Sequence, residues 1–276
     1  MARLFASDLD GTLFNTLHAT DFFIRRGIKK VLKRGDYFTV ATGRNMRLEH
    51  IKGDFKNLPI YCVAMNGAII INPQKEIIYE SIIDKTIIQE LLEKFPTINF
   101  EFIGRKNCYM KCPREDNKEE NKNMPFIIRM VYHRFERLCA SEYVYNCTDE
   151  EILKHDILKF NCYIKNKETL KKFNEYLDQN KDKLVNAPYG GKFYEVTAIG
   201  INKGNSVKYL ADLLKVKEND VYVYGDGEND IAMLKKFENS YAPSNASEKA
   251  KHAAKHVIDS NARYSVVRHM LKIKNR

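Results

Sequence analysis

Long apolar runs are missing from this 276-residue sequence. No stretch approaches the roughly 20 apolar residues that a membrane-spanning helix needs. The opening "MARLFASDLD" has too short an apolar segment before its acids for a secretory signal. A cytoplasmic protein with no membrane partner is expected. Metal and redox spacings of cysteine are missing too. Cys62, Cys108, Cys112, Cys139, Cys147 and Cys162 include no CxxC, because "CYMKC" has three intervening residues. Ordinary thiols are expected. A P-loop, a dinucleotide fingerprint and a serine nucleophile elbow are absent, which disfavours those routes to nucleotide binding and acyl transfer. The formal charge is +10, yet no dense basic block carries it. Lysines in "TLKKFNEYL" and "SEKAKHAAKH" alternate with acids or small residues, so they read as solvated helix faces rather than a nucleic-acid surface. Attraction of small anions stays open.

What is present is a globular mixture, 44% hydrophobic and 30% charged, long enough for two domains. The first third alternates strand and helix patterns: "RLFASDL", then "HATDFFIRRGIKKVLKRG", then "YFTVAT", then "IYCVAMNGAIII" with "EIIYESII" returning. The last third repeats the alternation, with helix over 206–216, strand over 220–226, a helix from "ENDIAMLKKF" and another from "SEKAKHAAKHV". This predicts an α/β fold, a parallel-sheet core with helices on both faces. The middle differs, with helices over 84–95 and 167–180, strands over 157–166 and 192–199, and a charged loop, "PREDNKEENKNMP". Thr148 and Glu151 stand at capping-box spacing. The expected division is a core of 1–82 and 191–276 with an inserted α+β unit over 83–190.

Ligands of an open parallel sheet bind beyond the carboxyl ends of its strands. Four polar clusters fall there: Asp8 and Asp10, Thr42-Gly43-Arg44, Lys203 in "GINKGN", and Asp226 to Asp230 in "GDGEND". Side chains alternate along an extended chain, so Asp8 and Asp10 share a face. Two carboxylates 4 Å apart repel by about 4 kcal/mol at an effective dielectric near 20. Asp226 worsens this unless a cation or a retained proton offsets it. All-oxygen ligands suit Mg²⁺, and such a site commonly serves a phosphate. Thr42 offers a hydroxyl donor, Gly43 a close backbone approach, Lys203 a point charge and Asn229 an amide donor. Capping of the following helix is the plainer role for Asn229. Asp230 pairs most simply with Lys203 or a metal-bound water, and Glu228 is an exposed loop residue. The nucleophile is then one of the carboxylates, giving an aspartyl-phosphate. His252 and His256 would share one helical face, but no metalloprotease glutamate accompanies them, so an exposed helix is expected.

"DLDGT" (8–12), "ATGR" (41–44), "NKG" (202–204) and "GDGEND" (225–230), in that order, resemble the haloacid dehalogenase-like superfamily. "AMNGA" and "YEV…GINKG" bring the sequence nearest to its Cof-type phosphatases, which carry a type IIB cap. The resemblance implies a Rossmann-like core and an inserted cap that selects substrate. It also implies that Asp8 is the nucleophile and Asp10 the general acid/base. Mg²⁺ would be held by Asp8, Asp226 and the Asp10 carbonyl. Phosphate would be held by the Leu9 backbone, Thr42, Gly43, Lys203 and Asn229, with Asp230 in support. The partner would be a small phosphorylated metabolite such as a sugar phosphate. A phosphomutase or a silent phosphate-binding regulator are the alternatives. Arg105, Lys111, Arg129 and Glu195 are the candidate substrate-selecting residues of the cap.

Overall fold

Leu4-Phe5-Ala6-Ser7 forms the first strand, β1 (Leu4–Ser7), and every residue of it is buried. That is the pattern of a strand paired on both edges and covered on both faces. The structure, a computed structural model, describes residues 2–15, 19–45, 55, 58–114, 143–187 and 192–273. β2 (Tyr37–Ala41), β3 (Tyr61–Ala64), β4 (Ile69–Ile71) and β5 (Ile77–Glu80) follow. The middle of the chain supplies β6 (Glu101–Gly104), β7 (Cys108–Tyr109), β8 (Tyr143–Val144), β9 (Ile157–Tyr163), β10 (Leu184–Asn186) and β11 (Phe193–Ala198). The last stretch adds β12 (Val221–Tyr224), β13 (Asn239–Pro243) and β14 (His256–Ile258).

The chain divides into two compact units. One comprises Met1–Ser81, Ala187–Tyr189 and Gly200–Arg276; the other Ile82–Asn186 and Gly190–Ile199. The first holds an eight-stranded sheet in the order β14-β13-β12-β1-β2-β3-β4-β5. β1 lies at its centre, parallel to β2 and β12, with Leu4 opposite both Tyr37 and Val221. The sheet is parallel from β14 through β3, but β4 and β5 run antiparallel. The expectation of an α/β fold with a parallel-sheet core holds, with this antiparallel edge as an addition. The cause is the Met65–Gly67 turn, which is far too short for a parallel crossover. Alternate strand residues Leu4, Ala6, Val221 and Val223 pack with Val207, Leu210, Met233 and Leu234 from two helices. Helix Phe22–Lys33 packs on the C-terminal helix Ser265–Lys272, where Gly27 admits the Val267 side chain.

In the second unit the sheet order is β10-β11-β9-β6-β7-β8. One face carries Phe102, Phe160, Tyr194 and Val196 and is packed by Ile88 and Leu91 of helix Lys85–Lys94 and Phe173 and Tyr176 of helix Lys167–Gln179. The capping box forms as its spacing suggested, with Glu151 N–H donating to Thr148 Oγ1 at 3.2 Å and Thr148 N–H to Glu151 at 2.8 Å. Two placements differ from the sequence reading. β11 pairs antiparallel with β9 from Phe193↔Tyr163 to Thr197↔Lys159, so it belongs to the second unit, and the return to the first comes at Gly200 rather than 191. The helix over "SEKAKHAAKHV" ends at Ala253, because Ala254 is extended and His256 opens β14. His252 and His256 therefore share no helix face. The charged loop at 113–125 lies almost wholly outside the described residues, as does Cys139; the other five cysteines are buried, with no disulfide among the described residues.

His269 on the C-terminal helix meets side chains of β12 and β13. Its Nδ1 lies 2.9 Å from the Tyr224 hydroxyl, and its ring sits 4.1 Å from that of Tyr241. Burial, aided by His256 and Lys272, pulls its pKa down to about 4. A histidine depressed in the folded state favours folding above its ordinary value near 6.5, and that contribution is lost as pH falls toward 4. Urea midpoints between pH 7 and pH 4 should fall more steeply for the native protein than for His269→Gln. Parallel curves would contradict this account.

Candidate active site

Three parallel strands end side by side, and each is followed by a polar residue: Ser7 by Asp8, Ala41 by Thr42, and Tyr224 by Gly225 and Asp226. Strand pairing alone thus brings sequence-distant residues to one rim. The Asp8 N–H donates to Tyr224 O at 2.9 Å, extending the ladder by one residue before the chain turns. Leu9–Leu13 form that turn, with Leu9 and Leu13 buried as anchors. Gly11 adopts φ +75° within it. A Cβ there would stand 2.3 Å from Asp226 Oδ2, so both the left-handed conformation and the close carboxylate require glycine.

Lys203 is fully buried, and its Nζ donates to Asp8 Oδ1 and Asp230 Oδ1, both at 2.7 Å. The lysine lies inside the first turn of helix Lys203–Leu213 rather than ahead of it, because Asn202 caps the helix by accepting from the Asn205 N–H at 2.9 Å. Asp230 Oδ2 accepts from the N–H groups of Asp226 (3.0 Å) and Gly227 (2.9 Å), so it braces the Asp226 loop as well as the lysine. Thr12 donates to Asp226 Oδ1 at 2.5 Å. Asp10 stands apart with about a third of its side chain exposed. Arg44 grips it through two hydrogen bonds, the Nε one at 2.6 Å, and lays its guanidinium 5.0 Å from the Phe14 ring centre. Thr42 is buried, and its hydroxyl accepts from the Arg44 N–H at 3.1 Å. Gly43 sits between them in the same loop. Asn229 does not cap a helix; its amide donates to Asn66 Oδ1 at 3.2 Å. Glu228 is at the surface, paired with Lys249.

Charge is unbalanced here. Among the described residues, four carboxylates, those of Asp8, Asp10, Asp226 and Asp230, meet two cations, Lys203 and Arg44. Burial first, then the Asp230 and Asp10 charges, push Asp226 up to about 7 against Thr12 and Lys203. Burial also raises Asp8 well above the carboxylate range, with Asp230, Asp226 and Asp10 adding to it and Lys203 opposing. Lys203 is held above its ordinary value because Asp230 and Asp8 outweigh its own burial. Oxygen atoms of Asp8, Asp226 and Asp230 all lie within 4.8 Å of one another. Asp230 spends both oxygens on Lys203 and backbone, whereas Asp8 Oδ2 and Asp226 Oδ2 take no hydrogen bond among the described residues. An all-oxygen, over-negative cluster with two uncommitted oxygens fits a hard divalent cation.

The comparisons agree with this geometry. The family model described as haloacid dehalogenase-like hydrolase matches residues 5–271. The chain belongs to the haloacid dehalogenase-like hydrolases. It is 25% identical over 278 residues to 5-amino-6-(5-phospho-D-ribitylamino)uracil phosphatase YwtE of Bacillus subtilis, covering 94% of this chain and 93% of that protein. It is 26% identical over 276 residues to a phosphatase of the same description, YbjI of Escherichia coli, covering 96% and 93%. A haloacid dehalogenase-like hydrolase from B. subtilis has the same fold at a TM-score of 0.81, with 21% identity over 99% of this chain and all of that one. This member of the family is a hydrolase of the phosphatase kind. No helix among the described residues is long and apolar enough to cross a membrane.

Of the residues singled out from sequence, Asp8, Lys203, Asp226 and Asp230 form one contact network, and Asp10, Thr42 and Gly43 border it through Arg44. Of the four cap candidates, Arg105 pairs with Asp156 and Lys111 with Asp149 on exposed surface, and Arg129 lies outside the described residues. Glu195 is buried and paired with Lys159. Sequence reasoning gave no role to Thr12, Gly11, Arg44 or Asn66. Thr12 and Gly11 sit inside the quoted "DLDGT", but their partner Asp226 is more than 200 residues away. Gly11→Ala should lower kcat/KM at least a hundredfold, by displacing Asp226, with a stability loss of about 1–3 kcal/mol from strain. Steady-state kinetics and urea unfolding check it, and an active Gly11→Ala protein would contradict the close-approach argument.

Proposed function

We propose that the protein is a Mg²⁺-dependent phosphatase that hydrolyses a small phosphorylated metabolite, a sugar phosphate or similar phosphomonoester, through an aspartyl-phosphate on Asp8. The observation that carries this is Asp8 itself: a buried carboxylate with one oxygen held by Lys203 at 2.7 Å and the other without a hydrogen bond among the described residues. Relatives named for hydrolysing a phosphoribitylamino-uracil support the ester class. The first unit serves as the catalytic core and the second as the cap that selects substrate.

Mg²⁺ would be held by the Asp8 and Asp226 side chains and the Asp10 carbonyl, where it supplies charge neutralisation for a phosphoryl group. The Asp8 carboxylate attacks phosphorus in line, the O–P bond to Asp8 forms and the ester P–O bond breaks. Lys203 keeps the attacking carboxylate oriented and offsets phosphoryl charge. Thr42, Gly43, Asn229 and the Leu9 backbone donate to the phosphoryl oxygens. Asp10 gives a proton to the leaving oxygen, then removes one from the water that attacks the aspartyl-phosphate, and Asp8 leaves as carboxylate. Arg44 sets the direction of Asp10 while the proton moves.

Asp8→Asn should abolish release of phosphate from p-nitrophenyl phosphate, at least a thousandfold, while the fold persists by circular dichroism. Chelation with EDTA should remove wild-type activity, and excess Mg²⁺ should restore it. Full activity of Asp8→Asn, or activity indifferent to EDTA, would overturn the reading. Transfer of phosphate between positions of a hexose, in place of release, would identify a mutase.

A further inference from the structure

Folding gathers the chain's positive charge onto one helix pair. Helix Phe22–Lys33 and the residue that ends it carry three basic pairs, Arg25-Arg26, Lys29-Lys30 and Lys33-Arg34, and no acid. Helix Ser265–Lys272 adds Arg268 and Lys272, again with no acid. Against a formal surplus of +10, these two short segments hold eight cations. Packing sets them side by side. Gly27 admits Val267 at one level, and Arg34 donates to the carbonyls of Leu271 and Ile273, each at 3.3 Å, further along. Both contacts advance in the same sense, so the helices run parallel as one layer.

Ile24, Gly27, Ile28 and Val31 of the first helix are buried, as are Val266, Val267 and Met270 of the second, and the cations point outward. All but Arg25 are exposed. None of the eight pairs with a carboxylate among the described residues. Arg25 donates to Thr20 Oγ1 at 3.1 Å, Arg26 lies 5.9 Å from the Phe22 ring centre, and Arg34 is held by the two carbonyls. Cations in the last turn of a helix often do no more than balance its dipole. That covers Lys30, Lys33 and Lys272, but Arg26, Lys29 and Arg268 stand earlier. Phe22, 71% exposed, begins the outward stripe that Arg26, Lys29 and Lys33 continue, and Phe23 beside it is 40% exposed. The first helix leaves β1 at the rim and meets β2 at the opposite end, so Lys33 and Arg34 lie away from Asp8. The patch therefore does not serve the phosphoryl site.

We propose that this face docks on an anionic lipid surface, with Phe22 entering the boundary and the lysines and arginines meeting the headgroups. Unpaired charge of one sign spread over two helices fits a polyanion. A nucleic-acid strand is held in a groove with several stacking rings, or by donors presented to base edges. A layer of two parallel helices, with exposed rings only at one end, matches a bilayer instead, where cations meet anionic headgroups and an apolar ring sits just below them. The contact is peripheral, since no described helix is long and apolar enough to cross a membrane, and it departs from the expectation of no membrane partner. It stands whether or not the rim hydrolyses a phosphoester.

The test is sedimentation of the full-length protein with vesicles of phosphatidylcholine alone or of an equal mixture of phosphatidylcholine and phosphatidylglycerol. Binding is expected to the mixed vesicles only. It should be lost as salt rises from about 0.1 M to about 1 M, where the screening length falls from about 10 Å to about 3 Å. Each basic side chain at such a surface is worth about fivefold in partitioning, so the triple variant Lys29→Gln, Lys30→Gln, Lys33→Gln should partition about a hundredfold less, with its circular dichroism unchanged. Phe22→Ala should also weaken binding. His269 meets Tyr224 while Met233 packs with Val223, and successive strand residues point to opposite faces, so Lys217, Lys235 and Lys236 lie on the far side of the sheet. Removing the same charge there, by Lys217→Gln, Lys235→Gln, Lys236→Gln, should leave partitioning within about twofold. Equal losses in the two triple variants, or no binding to the mixed vesicles, would overturn the proposal. So would capture of polyuridylate RNA in place of vesicles, which would assign the patch to nucleic acid.

Discussion

Lys203 holds the rim together. Its ammonium, sealed from solvent, touches Asp8 and Asp230 at equal distance, and each contact depends on a different part of the chain. Asp8 arrives at the end of the central strand, and Asp230 arrives on the turn after β12. The lysine itself arrives on a helix start fixed by Asn202. Glycine is required where these pieces converge: a Cβ on Gly204 would meet Ala232 O at 2.7 Å, and one on Gly225 would meet Asp230 Cβ at 2.5 Å. A buried ion triad is a poor device for stability alone, since desolvation consumes much of its Coulomb gain. Its effect here is orientation, because it fixes one oxygen of Asp8 on the rim.

The charge pattern separates the acids by task. Lys203 engages Asp8 and Asp230, Thr12 engages Asp226, and Arg44 engages Asp10. Asp226 and Asp8 are pushed toward protonation by burial and by their neighbours, an arrangement that a divalent cation reverses. Asp10 is more exposed and held by a guanidinium, and its charge still adds to the push on Asp8 and Asp226. The same two residue types, Asp and a cation, thus meet in distinct environments, which is what the proposed division into nucleophile, brace and proton carrier requires.

Much of this was legible beforehand because parallel strands impose order. Once β1, β2 and β12 are read as neighbours, Asp8, Thr42 and Asp226 must meet, whatever the loops do. Local signals were equally readable, as the Thr148–Glu151 box shows. What escaped was non-local or set by turn geometry. Thr12 and Arg44 were in view, but their partners depend on how the Leu9–Leu13 turn folds. The β3–β4 reversal hinged on a three-residue turn, and the boundary at 191 cut off β11, a strand the sequence grouped with the middle of the chain, from its partner β9. Asn229 is engaged by Asn66, which sits at φ +55°, a conformation no pattern in "AMNGA" announced.

The central claim is that Asp8 carries the phosphoryl group. Acid quench of the enzyme during turnover of p-nitrophenyl phosphate with Mg²⁺, followed by mass spectrometry of the peptide spanning Asp8 and Asp10, measures this directly. The account predicts a phosphoryl group on Asp8 that appears and decays within turnover, with none on Asp10. Sustained turnover with an unmodified Asp8, or a phosphoryl group found on Asp10 instead, would contradict it.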